Sequence, residues 1–324
     1  MKKIIGMGNA LVDILVVLDD EKLLDDLGIA KGSMQLVDMT FSNTILDKIK
    51  NCPVATVSGG SAANTIHGLS KLKVPCGFIG KISKDDMGGI FQKDLVNNSI
   101  KPHLFIENGC TGRAIAMISP DSERTFATYL GSAVNLTANE ITGDLFSGYD
   151  YFHIEGYLVQ NHELLEKALS TAKSLGLTVS LDLASYNIVQ ENLDFLRDMV
   201  RKYVDILFAN EEESLVFTGV CGEEAAFVTG EMAEIAVIKN GEKGSIICYD
   251  KNIIHVGSIS VKAVDTTGAG DLYASGFLYG FINGRPLVNC GVLGSLMAGK
   301  VIEQIGAKIP EEKWGEIQEA INTL

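Results

Sequence analysis

The sequence predicts an α/β protein whose mainly parallel sheet is covered by helices on both faces. Short apolar runs alternate with amphipathic helical runs through most of the 324 residues. Hydrophobic residues make up 46% of the chain, which is enough for a substantial core. No Pro/Ser-rich linker divides the sequence. We therefore expect one domain, residues 1–324, in which helices form the crossover connections between parallel strands.

The first half of the chain supplies the start of this pattern. Its elements, in order, are a strand at 1–7, a helix at 61–72, a strand at 76–82 and a helix at 86–96. Each predicted strand is a short apolar run, and each helix carries apolar residues at helical spacing. Because a short strand and a longer amphipathic helix follow each other, a crossover unit is expected rather than a hairpin.

The second half repeats the alternation. Its predicted elements are strands at 151–154, 178–183, 204–208 and 235–238, and helices at 163–175, 194–202 and 271–282. The strands have few polar positions, as expected for strands that are buried on both faces of a sheet.

Two regions interrupt the alternation and predict a small second sheet. Strand-like pieces at 11–18 and 33–37 follow each other without a predicted helix. Three more, at 103–107, 113–119 and 124–130, are separated by the turn-forming segments NGCTG and PDSE. This predicts a lid of short antiparallel strands, formed by segments at approximately 11–38 and 104–131, that would cover a ligand. An extension of the main sheet is the alternative.

Composition excludes several classes of function. The formal net charge of −14 argues against a nucleic-acid partner, which would require a basic surface. The six cysteines form no CxxC pair, so neither a zinc site nor a redox motif is expected. No apolar run reaches the roughly 18 uncharged residues of a membrane helix. We expect a soluble cytoplasmic protein with reduced thiols and no membrane partner.

The segment DTTGAGD, residues 265–271, leaves the backbone nearly bare just before a predicted helix. The amides of Gly268, Ala269 and Gly270 would lie at the helix N-terminus, where the helix dipole favours an anion. Asp271 would lie beside this anion site. It is either a helix cap or a general base that takes a proton from a hydroxyl attacking a phosphoryl group. The segment alone leaves both alternatives open.

Two other phosphate-binding patterns fail. The run from Gly294 to Lys300 has P-loop spacing, but Val301 follows the lysine and the whole run is apolar and helical. The dinucleotide pattern that begins at Gly6 has Leu11 where its third glycine belongs. The DTTGAGD segment therefore remains the phosphate-binding candidate.

Polar residues near the predicted strand ends are further candidates. Asp13 lies in an otherwise apolar run, where a carboxylate requires a partner such as a sugar hydroxyl. Gly59 and Gly60 precede Asn64. The two glycines either allow a ligand to approach closely, act as a hinge for the lid, or form a plain strand–helix turn. Asn210 and Glu213 either begin a helix or organise a hydrated Mg²⁺.

Two basic features also have two interpretations. The loop KNGEKG, residues 239–244, is either a hairpin turn or a nucleotide-contacting loop. Arg113 and Arg124, in the predicted lid, are either solvated or reach a transferring phosphate.

The order of these motifs resembles that of the ribokinase-like (pfkB-type) family of sugar and nucleoside kinases. The motifs are GNALVD, SGGSAAN, the NxxE pattern of Asn210 and Glu213, KNGEKG and DTTGAGDLYASGF. The segments HIEGYLV and YVDILFANEEES are most similar to the adenosine-kinase branch. The resemblance implies a three-layer α/β/α ribokinase-like core with a β-sheet lid, acting as a monomer or a homodimer. It also implies an ATP- and Mg²⁺-dependent kinase for a small sugar or nucleoside.

The resemblance further implies roles for single residues. Asp271 would be the base, and Gly268, Ala269 and Gly270 would form the anion hole. The acceptor would be held by Asn9, Asp13, Gly59, Gly60 and Asn64, with Arg124 near the γ-phosphate. The ATP site would include Asn210, Glu213, Lys239, Gly241, Gly244 and Thr267, and Glu213 would order Mg²⁺ through water. Asp265, with Thr267, matches positions that bind a monovalent cation such as K⁺ in some members.

The acceptor has two candidates. Adenosine-specific members line the base pocket with apolar lid residues, whereas the lid sequence GRAIAMISPDSERTFATYL contains an ERT pattern common among sugar kinases. The branch resemblance favours a ribonucleoside over a free sugar of the ribokinase or fructokinase type. A non-catalytic nucleoside or sugar sensor is the alternative of another class, and the intact Asp271 and GAG run argue against it.

Overall fold

The computed structural model describes residues 1–121 and 123–323. The strands are β1 (Ile4–Met7), β2 (Leu11–Val17), β3 (Met34–Leu36), β4 (Val54–Gly59), β5 (Cys76–Ser83), β6 (Ile100–Glu107), β7 (Thr111–Ile118), β8 (Arg124–Gly131), β9 (Tyr151–Glu155), β10 (Thr178–Asp182), β11 (Ile206–Asn210), β12 (Ile235–Lys239), β13 (Ser245–Tyr249) and β14 (Asn252–Val256).

The helices follow the alternation that the sequence predicts. They are α1 (Lys22–Leu27), α2 (Met39–Ile49), α3 (Ser61–Lys71), α4 (Asp86–Asn97), α5 (Gly143–Phe146), α6 (His162–Ser174), α7 (Tyr186–Glu191), α8 (Leu193–Tyr203), α9 (Glu211–Thr218), α10 (Gly222–Gly230), α11 (Ala269–Ile282), α12 (Leu287–Val301) and α13 (Trp314–Thr323). None of the helices within 1–121 and 123–323 combines the length and the apolar character that crossing a bilayer demands.

The main sheet has nine strands within the described residues, in the order β14-β13-β12-β11-β10-β9-β1-β5-β6. The strands from β12 to β6 are parallel, and β13 and β14 form an antiparallel extension. Two hydrophobic clusters cover its faces, one with α6 and α8 and one with α3, α11 and α12. The predicted three-layer α/β fold is confirmed.

The core explains why these elements form. All eight residues of β5 are buried, and Phe78, Phe152 and Phe208 lie fully buried in the main sheet. Burial of each such side chain contributes roughly 1.5–3 kcal/mol. Helix α8 buries Leu196, Met199 and Val200 on one side and leaves charged residues on the other, so it caps one face of the sheet.

The second sheet, which we call the lid sheet, has the order β3-β8-β7-β2-β4 among the described residues. Along β2 the side chains alternate, so that Leu11 and Asp13 line a cavity while Ile14 and Val16 pack in a separate core cluster with α1 and α2. The lid sheet therefore has one face supported by helices and one face turned to the cavity.

Three expectations about this region are wrong. The run at 103–107 belongs to β6, which pairs in parallel with β5 at the edge of the main sheet. A helix, α1, separates 11–18 from 33–37. The lid is also not purely antiparallel, because β2–β7 and β3–β8 are parallel pairs. The lid bounds 11–38 and 104–131 stay a prediction, and Ser122 of the PDSE turn lies outside the described residues.

Candidate active site

A cavity of about 920 Å³ lies between the carboxyl ends of the main-sheet strands and the lid sheet. Its floor includes the strand-end residues Glu155, Asp182, Asn210 and Lys239. Ligands commonly bind at the carboxyl ends of parallel strands, and cavities of roughly 300–1,000 Å³ hold small molecules. This cavity is large enough for two small ligands side by side.

Most of the predicted site residues line this cavity. They are Asn9, Asp13, Gly60, Asn64, Asn210, Glu213, Lys239, Gly241, Gly244, Thr267, Gly268, Ala269, Gly270 and Asp271. Three predicted residues, Gly59, Arg124 and Asp265, are not among the lining residues.

The N-terminus of α11 begins at a glycine that no other residue could replace without strain. Gly268 has φ 75°, and a Cβ there would lie 2.6 Å from the Cβ of Ala307. The amide of Ala269 donates to the carbonyl of Thr266 at 3.2 Å. Within the described part of the chain, the amides of Gly268, Gly270 and Asp271 have no protein acceptor. These three amides, rather than that of Ala269, can receive an anion.

The Asp271 carboxylate is held by helix α3. The Ser61 hydroxyl donates to its Oδ1 at 2.7 Å, and Asn64 Nδ2 donates to its Oδ2 at 2.9 Å. The carboxylate therefore faces α3 and does not cap its own helix. Burial raises the pKa of Asp271 to about 6, although the bonds from Ser61 and Asn64 act in the opposite direction. Such a carboxylate is ionised at neutral pH and basic enough to accept a proton.

Asn64 has one group left for a ligand. Its Nδ2 is committed to Asp271, whereas its Oδ1 is buried and has no hydrogen-bond partner among the described residues. A buried acceptor without a partner is costly. A hydroxyl of a bound molecule would satisfy it.

Glu155, at the end of β9, is a cavity residue that sequence reasoning missed. It accepts hydrogen bonds from the backbone amide and Nδ2 of Asn9 and from the amide of Ala62, each at 2.9 Å. Burial raises its pKa to about 7. Its carboxylate thus ties the loop after β1 to the start of α3. Glu155 ends the apolar run YFHI, whereas Asp13 lies inside an apolar run, so Glu155 gives the weaker signal in the sequence.

Asp13 lies in the cavity wall and packs against glycine. A Cβ on Gly59 would overlap the Asp13 carboxylate, and a Cβ on Gly60, which has φ 96°, would overlap the carbonyl oxygen of Asn9. The paired glycines therefore leave room for the Asp13 carboxylate and the Asn9 carbonyl, and their contact with a ligand stays a prediction. Burial raises the pKa of Asp13 to about 7, and the charge of Lys308 opposes this shift.

Lys239 and Asp182 form a buried ion pair beside the anion site. Lys239 Nζ lies 2.6 Å from Asp182 Oδ2, and a Cβ on Gly270 would lie 3.0 Å from the same Nζ. Burial lowers the pKa of Lys239, but the charges of Asp182 and Glu213 outweigh it and raise the pKa overall. A positive charge is thus fixed next to the free amides of α11. Asp182 was also missed by sequence reasoning.

Asn210 and Glu213 form a capping box at the start of α9. The amide and Nδ2 of Asn210 donate to the two carboxylate oxygens of Glu213, and the amide of Glu213 donates back to Asn210 Oδ1, all at 2.8 Å. Within 1–121 and 123–323, no group of three or more His, Cys, Asp or Glu residues could hold a metal ion directly. Asp182, Asn210 and Glu213 bring carboxylate and amide oxygens to the cavity, and hard oxygen donors of this kind suit Mg²⁺ held through its water ligands.

The KNGEKG loop is a hairpin turn, and its contact with a nucleotide stays a prediction. It is the hairpin connection between the antiparallel strands β12 and β13, and Gly241 and Gly244 adopt positive φ angles of 52° and 90°. Both glycines also line the cavity.

The two lid arginines are buried rather than solvated. Arg113 donates from Nε to the Ser42 hydroxyl of α2 at 2.7 Å, so it holds the lid together. Arg124 donates from Nη1 to Thr267 Oγ1 at 2.8 Å and pairs through Nη2 with Asp265 Oδ2 at 2.5 Å. To reach a phosphate in the cavity, Arg124 would have to leave Asp265.

Comparison with known proteins agrees with this geometry. A family model described as pfkB family carbohydrate kinase matches residues 46–314. The structure of a probable sugar kinase from Rhizobium etli is 31% identical, with a TM-score of 0.90, and the match covers 100% of this chain and 99% of that one. An adenosine kinase structure from Sinorhizobium meliloti is 30% identical, with a TM-score of 0.89, over 98% of this chain and 99% of that one.

By sequence, an adenosine kinase from Schizophyllum commune is 26% identical over 351 residues, which covers 98% of each chain. The relatives thus include both sugar and nucleoside kinases, and the family match takes in most of the residues that line the cavity. The chain belongs to the pfkB family of carbohydrate kinases, which are phosphotransferases with an alcohol group as acceptor.

Proposed function

We propose that the protein transfers the γ-phosphate of ATP to the 5′-hydroxyl of a ribonucleoside. The observation that carries the choice of acceptor is the apolar wall of the cavity. The lid contributes Leu11, Met34, Leu36, Phe126 and Leu130 to this wall. A free sugar presents hydroxyls on every side, whereas a nucleoside presents an aromatic base that gains from apolar contact. The wall therefore suits the base.

The polar end of the cavity suits a ribose. Asp13 and the free Oδ1 of Asn64 are acceptors for sugar hydroxyls, and Asn9 is fixed beside them by Glu155. A 5′-hydroxyl directed at Asp271 would place its proton at a carboxylate that can accept it. Because Asp271 is anchored by two donors from α3, it would be held in position for this role.

The phosphate end combines backbone and charge. The free amides of Gly268, Gly270 and Asp271, together with the Lys239 ammonium, would stabilise negative charge as the phosphoryl group is transferred. Gly241, Gly244 and Thr267 also line the cavity and would contact the nucleotide. When bound, Mg²⁺ would neutralise phosphate charge, and Glu213 would hold its water ligands.

A coupled assay of ADP release tests the acceptor. The panel contains the common ribonucleosides, ribose, fructose and hexose phosphates. We expect a ribonucleoside to give the highest kcat/KM. Turnover confined to free sugars would overturn the choice of acceptor while leaving the kinase activity in place.

The same panel separates the kinase from a sensor. Binding of a nucleoside, measured by calorimetry, without ADP release from any acceptor would indicate a non-catalytic binding protein. The Asp271→Asn variant, run in parallel, sets the background rate of ATP hydrolysis.

A further inference from the structure

Asp265 precedes the anion site by three residues and is surrounded by hydrogen-bond donors. The amide of Thr267 donates to its Oδ1 at 3.0 Å, and the amide of Gly306 donates to its Oδ2 at 2.6 Å. Arg124 lies 2.5 Å from the same Oδ2. The side chains of Asp265 and Arg124 are only 2% and 8% exposed, so the pair is shielded from solvent.

This environment does not fit a monovalent cation. Alkali cations bind oxygen atoms, and an unpaired buried carboxylate would be a strong ligand. Here both carboxylate oxygens of Asp265 already accept hydrogen bonds from backbone amides, and the Arg124 guanidinium supplies the compensating positive charge. A cation placed beside Asp265 would be repelled by Arg124 and would have to displace it.

We propose that Arg124 takes the place of a monovalent cation, so that this enzyme works without K⁺. The guanidinium has a second bond, from Nη1 to Thr267 Oγ1 at 2.8 Å. Thr267 immediately precedes Gly268, whose amide is one of the three free amides. Arg124 is therefore a positioning residue that fixes residues 265–268 from the lid strand β8.

The wild-type protein provides the first test, which rests on the proposed kinase function. ADP release is measured in buffers whose only monovalent cation is K⁺, Na⁺ or tetramethylammonium, at equal ionic strength. We expect rates that agree within about twofold in all three, since no cation site is filled. A rate at least about tenfold higher in K⁺ would overturn the proposal.

A variant tests whether Arg124 takes the place of the cation. Arg124→Met leaves the Asp265 carboxylate unpaired and opens the space of the guanidinium. We expect its rate in tetramethylammonium to fall by about tenfold or more and to recover partly when guanidinium ion or K⁺ is added. Arg113→Met is the matched control, because it removes a buried lid guanidinium that faces Ser42 rather than a carboxylate. If guanidinium ion or K⁺ restored the rates of both variants equally, or restored neither rate, Arg124 would not be the substitute for the cation.

The melting temperature gives a readout that does not depend on turnover. The wild-type Tm should be the same in K⁺ and tetramethylammonium, whereas K⁺ should raise the Tm of Arg124→Met. A K⁺-dependent wild-type Tm would overturn the proposal even if the variant does not fold. Absence of turnover with every acceptor would instead overturn the kinase function and leave this comparison valid.

Discussion

At the scale of single residues, the proposed base and the proposed acceptor contacts are different atoms. The two oxygens of Asp271 are held by Ser61 and Asn64, whereas the proposed acceptor contacts are the Asp13 carboxylate and Oδ1 of Asn64. Replacing the carboxylate by an amide keeps the shape and removes the basic oxygen. The consequences for turnover and for acceptor binding should therefore differ.

We expect Asp271→Asn to lower kcat by about 10³-fold or more, because general-base and charge effects at the reacting oxygen are both lost. The dissociation constant of the acceptor, measured by calorimetry, should change by less than about tenfold, since the 5′-hydroxyl is the one ribose group directed at this side chain and an amide oxygen can still accept its hydrogen bond. Wild-type turnover in this variant would remove Asp271 from the role of base.

The buried carboxylates predict opposite pH dependences for activity and stability. Burial raises the pKa of Asp271 to about 6 and the pKa values of Asp13 and Glu155 to about 7. The base must be ionised, so kcat/KM should fall as the pH drops through 7 to 6. Because the folded-state values are raised, these groups stabilise the fold fully below about pH 4, and this contribution is lost as the pH rises through 6 to 7.

Two measurements check this pair of trends. A pH profile of kcat/KM should show a falling acidic limb, and urea unfolding without ligands should give a lower free energy at pH 7.5 than at pH 5.5. A protein whose activity is constant down to pH 4.5 would contradict the burial of these groups.

The sequence predicts which residues reach the cavity where they belong to a motif, and it misses residues whose partners are distant in the sequence. Asp13, Asn64 and Asp271 reach one cavity as expected. Glu155 and Asp182 do not stand out, because an acid at a strand end is common. Their partners, Asn9 and Lys239, are 146 and 57 positions away. Only the fold shows that these acids are buried and bonded.

At the scale of elements, the start of α11 is a tightly constrained turn of the site. Gly268 needs a left-handed backbone and also faces Ala307 at a distance that leaves no room for a Cβ. Gly284, just beyond the other end of the same helix, has φ 69° and nothing within 4 Å of a Cβ. Both glycines have a positive φ, but a Cβ would meet other atoms only at Gly268, so comparing them isolates the effect of that contact.

We expect Gly284→Ala to cost about 1–2 kcal/mol from backbone strain alone. Gly268→Ala should add roughly 1–3 kcal/mol for the overlap with Ala307. It should also abolish most ADP release, because the neighbouring free amides would move. Urea unfolding measures the loss of stability, and the coupled assay measures the loss of ADP release. If the two substitutions lowered the free energy of unfolding equally, the overlap with Ala307 would not contribute to the cost at Gly268.

Elements were predicted well where the pattern is local. Helix α3 and strand β5 each end within one residue of the expected position. The run at 103–107, which belongs to β6, was assigned to the lid because an apolar run does not reveal its partner strand. Strand β4 was not predicted as a strand at all. Short α1 was missed because it lies between two strand-like runs.

At the scale of the whole molecule, the lid sheet and the main sheet provide opposite walls of one cavity. Strands β7 and β8 belong to the lid, whereas the neighbouring β6 belongs to the main sheet. Closure over an acceptor would therefore affect β7 and β8 but not β6.

We expect saturating ribonucleoside to slow hydrogen exchange in residues 111–118 and 124–131, because lid opening would become rarer. Exchange in Ile100–Glu107 serves as an internal control and should stay the same. Mass spectrometry of peptides from the three strands provides the comparison. Unchanged exchange in β7 and β8 at saturation would count against a closing lid.

The site joins residues from both ends of the chain. Asn9 and Asp13 come from its beginning, whereas Gly268, Asp271 and Gly306 come from its last fifth. During translation, β1 and its neighbours β5 and β9 leave the ribosome long before α11. A nascent chain can then assemble much of its sheet, but it lacks the helix end that would receive a phosphate. Nascent chains that have not reached α11 and Gly306 should consume no ATP, and activity should appear only after these residues have been synthesised.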